Sequence, residues 1–145
     1  MRLGKWQAAG VAALVTLAAA AAAVAQADGP SLHEWMKAVI DPAANAFWAA
    51  GNDAPEGETA AAAALRWTAA AAAAVTLETE GRKLAALPFA LGGDWDRYAK
   101  VMVEAAVDGR KAAEARDTEA AFEAGGRLYE ACEGCHAKYS PDRGG

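Results

Sequence analysis

The sequence predicts an all-α protein, a four-helix bundle, and three observations carry that prediction. Roughly three residues in ten are Ala, the residue that costs least in a helix. No run alternates β-branched with polar residues as a half-buried strand would. Apolar residues recur instead at three- and four-residue steps in four successive stretches, punctuated by Gly, Pro and capping residues.

The first stretch starts at Ser31, a suitable N-cap, and carries Leu32, Trp35, Met36, Val39, Ala43 and Phe47 toward one side, with Gly51 as its stop. Pro42 lies inside it and has no N–H to give, so the helix either kinks there or restarts with Asp41 as cap and Pro42 in its first turn. The second helix is expected from Glu58 to Leu87, with a stripe of Trp67, Ala70, Ala74, Leu77, Gly81 and Leu84, and ends at Pro88. The third is capped by Gly93 or Asp94 and aligns Trp95, Tyr98, Met102, Ala105 and Ala112. Asp117 or Thr118 caps the fourth, which sets Phe122, Gly125, Tyr129, Cys132, His136 and Tyr139 on one side before Pro141 and Gly144-Gly145 finish the chain. Ala-rich faces bring helices close but bury little apolar area per residue, so this bundle has a thin core unless a large apolar group fills it.

Residues 1–27 stand apart from the bundle. Arg2 and Lys5, an apolar run from about Ala8 to Ala25, and small residues ending at Ala25 and Ala27 follow the order of a cleaved secretory signal peptide. A membrane anchor is the competing reading, because the run nearly reaches the ~20 residues of a spanning helix. Cleavage leaves 28–145 as a single exported domain in the periplasm and takes away two basic residues, so the formal charge goes from -5 to -7. A surface of that sign excludes nucleic acid and anionic lipid as partners and favours a partner with a basic face.

The chemistry concentrates at Cys132-Glu133-Gly134-Cys135-His136, which fits C-x-x-C-H, the attachment signal of a c-type haem. On a helix, steps of three and four put both sulfurs and the imidazole on one side, so the thiols can form thioethers to the haem vinyl groups while His136 reaches the iron. Glu133 and Gly134 then point elsewhere and are free to vary. Three other readings compete: a disulfide, a thioredoxin-like redox pair, and half of a zinc site. The redox pair lacks a strand-turn-helix context, zinc lacks a second ligand pair, and a disulfide leaves the adjacent His unexplained. Catalysis finds no Ser-His-Asp set, since His33 is the sole other His.

With these residues in view, the chain resembles the class II c-type cytochromes, the cytochrome c-prime family and its low-spin, Met-ligated relatives. The resemblance spans residues 31 to 141. It is carried by Cys132 to His136 followed by Tyr139, by Asp94 to Tyr98 opening the third helix, and by the segment from Met36 to Trp48. It implies one covalent haem c between the helices, with the first helix lining the distal face, and a periplasmic role as an electron carrier serving redox partner proteins or as a binder of small gases. It also implies Met36 as sixth iron ligand, with Met102 the weaker candidate, while a Met on an apolar face is in general core filler. His33, near the mature N-terminus, reads as a bis-His ligand or as a solvated side chain. Ligation by Met36 implies a single-electron carrier; an open position implies a five-coordinate protein that binds NO or CO. Where many relatives carry a basic residue four positions after the ligand His, this chain has Ser140, so gas-binding behaviour tied to that base does not transfer, and Lys138 leaves the helix in another direction. The tryptophans Trp35, Trp48, Trp67 and Trp95 read as core and haem-pocket packing. A homodimer is expected through the first two helices, which carry more apolar surface than one haem pocket uses.

Overall fold

A computed structural model describes residues 31–86 and 92–140. The expected signal peptide at 1–27 and the expected stops at Pro88, Pro141 and Gly144-Gly145 lie outside the described residues. The described residues form helices and no strand: α1 (Leu32–Trp35), a π-helical turn (Met36–Ile40), α2 (Asp41–Gly51), α3 (Ala60–Ala85), α4 (Asp94–Ala115) and α5 (Thr118–Tyr139). The first three run on from one another as a single rod over 32–51, which makes four rods. The rod packs on α3, α3 on α4, α4 on α5, and α5 returns to α2, so the bundle closes around one axis.

Each start is set by local chemistry. Ser31 and Glu34 form a reciprocal capping box, with the Ser31 N–H donating to Glu34 Oε2 at 2.8 Å and the Glu34 N–H donating to Ser31 Oγ at 3.2 Å. Thr59, rather than Glu58, caps α3 by accepting from the Ala62 N–H. Glu58 instead binds the Arg66 guanidinium, whose Nη1 also donates to the Ala49 and Ala50 carbonyls, orphan acceptors in the last turn of α2. Gly93 caps α4 at φ 50°, and Asp117 caps α5 by accepting from the Ala120 N–H.

Of the two expected treatments of Pro42, the restart occurs in part, with Pro42 in the first turn of α2. The helix does not break, and the Asp41 side chain makes no cap; the preceding turn widens instead, so that the Asp41 N–H donates to the Met36 carbonyl five residues back. A π-turn is a known local solution for an extra residue in a helix and is frequent at functional sites. Pro42 follows in the first turn of α2, where its missing donor matters least.

The stripe on α3 is buried as expected. On α5 the expected face is turned. Phe122 and Tyr129 are 66% and 54% exposed, and the buried side is Ala121, Ala124, Gly125, Leu128 and Ala131. Here helices approach through small residues, so the large aromatic side chains are displaced to the flank. The same economy shows at Gly109, where a Cβ would stand 2.0 Å from Phe47 Cζ. The core is accordingly rich in Ala, and Leu77 and Leu128 are the largest side chains buried without remainder. It divides into a cluster around Ile40, Leu84, Trp95 and Met102 and a second around Trp67, Ala50, Ala112 and Ala121. By length and composition α3 could cross a membrane, but Trp67, Leu77 and Leu84 are spent on the bundle.

Candidate functional site

The C-terminal half of α5 faces the π-turn across the first of these clusters. Between them lies a small cavity of about 60 Å³, lined by Met36, Ile40, Leu84, Trp95, Tyr98, Ala99, Met102, Ala131, Cys132, Cys135 and His136. Cys132, Cys135, His136 and Met36, named separately from the sequence, therefore share one wall-to-wall space. The walls are otherwise almost wholly apolar. Met36, Ile40, Cys132 and His136 also line a wider groove that opens between α2 and α5.

Both cysteines are free thiols and partly buried. Burial, with a smaller contribution from neighbouring Cys135, pushes the Cys132 thiol up to about 11 from an ordinary 9.0. Burial alone raises Cys135. Among the described residues no three His, Cys, Asp or Glu side chains converge as a metal site, which argues against the zinc reading. Two thiols, an imidazole and a thioether spread over one apolar space can hold a broad group at several points, where a zinc site would hold an ion at one.

Trp95 closes one side, its Nε1–H donating to the Leu84 carbonyl at 2.9 Å and its ring meeting Tyr139 edge-on at 5.3 Å. Met102 is 5% exposed, and a Cβ on Gly81 of α3 would lie 3.5 Å from its sulfur, so its thioether is engaged in the α3–α4 packing. Met36 is less deeply committed: it is half-buried, packs at the edge of the first cluster and lines both the cavity and the groove. His33 is exposed and lines neither. Of the tryptophans, Trp67 belongs to the second cluster, away from the cavity, and Trp48 lies in the groove with its Nε1–H on the Gly125 carbonyl at 3.0 Å.

Gly134 is not free to vary. A Cβ there would stand 2.5 Å from the Tyr98 ring, so the glycine makes room for a side chain that walls the cavity beside Cys135 and His136. Tyr98 is held in turn by the Arg97 guanidinium, 4.4 Å above its ring. Arg97 and Lys138 both pair with Asp94, tying the start of α4 to the end of α5. The hydrogen bond from Lys138, then that from Arg97, holds the Asp94 carboxyl below the usual range. Lys138 thus turns toward α4, as its helical position implies, while Ser140 lines the groove. No local pattern signals this cross-helix pairing, whose partners lie 44 positions apart.

Comparison with protein-family models, with characterised proteins and with solved structures finds no match to this chain.

Proposed function

We propose that this chain is a class II c-type cytochrome, exported to the periplasm, that carries single electrons on one haem c. Cys132 and Cys135 would hold the haem by two thioethers, and His136 and Met36 would hold its iron. The observation that carries this reading is the meeting of those four side chains around a single apolar cavity. The donor chemistry fits: thiol sulfurs for the vinyl groups, a nitrogen and a soft thioether for the iron, and an apolar lining for the macrocycle. When bound, the haem supplies an iron that changes oxidation state by one electron.

The protein's part is orientation and exclusion. Cys132, Cys135 and His136 fix position from α5, and Gly134 lets Tyr98 close in beside them. Trp95, Ile40 and Leu84 keep water from the interior. Met36, on the π-turn, is the thioether that lines the cavity from the opposite rod and is less deeply buried than Met102, which favours electron transfer over binding of NO or CO.

Visible spectra of the oxidised and reduced protein, with and without CO, test the reading. The expected result is a low-spin protein inert to CO, whose colour stays on the polypeptide in denaturing electrophoresis. Met36→Ala should turn it high spin, lower its potential and admit CO. A wild-type protein already high spin and reactive to CO makes Met36 packing alone and the chain a gas binder, and a colourless one removes the haem. Export predicts a mature N-terminus at Gln26 or Asp28 in N-terminal sequencing; a retained Met1 on membrane-bound protein favours an anchor.

A further inference from the structure

The groove between α2 and α5 differs from the rest of the surface in two ways. It is aromatic: Trp48 and Tyr129 line it along its length, their rings edge-on at 6.3 Å, and Phe122 continues the line toward Gly51. Phe122 and Tyr129 are two of the four large apolar side chains exposed among the described residues. The groove is also one-signed. Asp41 and Glu133 stand in its wall, and among the described residues neither joins an ion pair.

The cations that might have neutralised it are drawn away. From Ala38 to Leu65 the chain has no Lys or Arg, and Lys37, just before that stretch, is not in the lining. The two cations of α5, Arg127 and Lys138, are both bound to aspartates of α4, Arg127 to Asp108 at 2.8 Å and Lys138 to Asp94. Both cations of α5 are thus held on the α4 side, while Glu133 is left facing α2. An apolar strip between unpaired carboxylates has the anatomy of a protein interface, a hydrophobic centre with a polar rim.

We propose that the α2–α5 groove docks a protein partner whose contact face carries lysine or arginine side chains around an apolar centre. A second copy of this chain fits poorly, because an isologous contact would set Asp41 and Glu133 against their own kind. The groove shares Met36, Ile40, Cys132 and His136 with the cavity, so a partner seated there lies against the wall of the candidate haem site. The reason such a partner comes rests on the electron-carrier reading; its chemistry and its test do not.

The test uses the purified, reduced holoprotein and decalysine as the probe. In two-dimensional amide NMR at low salt, decalysine should shift resonances of residues 41–48 and 129–137 and release them as salt is raised. Asp41→Lys with Glu133→Lys should weaken binding by about tenfold or more. Glu104→Lys with Glu114→Lys, the same change of net charge placed on α4, should weaken it by less than about threefold. Asp41→Asn with Glu133→Gln should give an intermediate loss, which keeps the test valid if the lysine pair does not fold. Equal loss in both lysine pairs, or shifts centred on α3 and α4, overturns the proposal, because net charge alone then explains the binding. A wild-type dimer that Tyr129→Ser dissociates assigns the groove to a second copy and overturns it too. A high-spin spectrum on the same samples sinks the electron-carrier reading and leaves the decalysine result to decide docking.

Discussion

Met36 and Met102 are chemically identical side chains on the wall of one cavity, and their neighbours give them different work. Met102 is buried against Gly81 of α3, so moving its sulfur opens a gap in the core. Met36 sits on a widened turn with room on two sides. Cys132 shows the same dependence on surroundings. With its thiol raised to about 11 against 9.0, the thiolate, which is the nucleophile, is scarce at pH 8 in the folded chain. Haem-free folded protein should therefore react with iodoacetamide at Cys132 about a hundredfold more slowly than the chain in denaturant, and the difference should close as pH rises through about 11. Equal rates at pH 8 would show an open thiol. That Cys132, Cys135 and His136 share one cavity wall was legible because their spacing is local to one helix. The role of Gly134 was not, since its reason is the Tyr98 ring from another helix, and neither was the Asp94 pairing with Lys138.

At the scale of elements, periodicity was a reliable guide where one face is plainly larger than the other. It located the buried stripe of α3 and the cavity-facing residues of α4. It misjudged α5, because the helix packs through its small residues and the size of Phe122 and Tyr129 drew attention to the wrong flank. It also had no means to anticipate the π-turn, a choice between backbone patterns that share one sequence. The outward face of α3 is the mirror of this problem: Leu65 is 72% and Val75 50% exposed, with Ala69 and Ala72 between them, and no charge falls between Arg66 and Glu78. We propose that this face forms a homodimer. Sedimentation should find a dimer at micromolar concentration, and Leu65→Lys with Val75→Lys should yield a monomer with its spectrum intact. A wild-type monomer throughout that range would remove the dimer.

For the whole molecule, the thin core expected from so much Ala is what the bundle has, and the cavity is where the deficit gathers. The broad division into four rods followed from composition and punctuation alone. The location of the groove did not, since it depends on which helices close the ring.

The two-part core has a consequence for how the molecule comes apart. The cluster around Trp67 is complete in itself, built from α2, α3, α4 and α5 at the end remote from the cavity, whereas the cluster around Trp95 encloses the cavity. Exchange of backbone amides with deuterium reports local opening, and such opening follows the units in which packing is lost. Without haem, amides near Ala70, Ala113 and Ala121 should keep most of their protection while those near Ala99, Leu128 and Ala131 exchange early. With haem attached the two ends should exchange at similar rates. Uniform loss in the haem-free protein would mean that one cooperative unit spans the bundle, and that the cofactor supports residues it never touches.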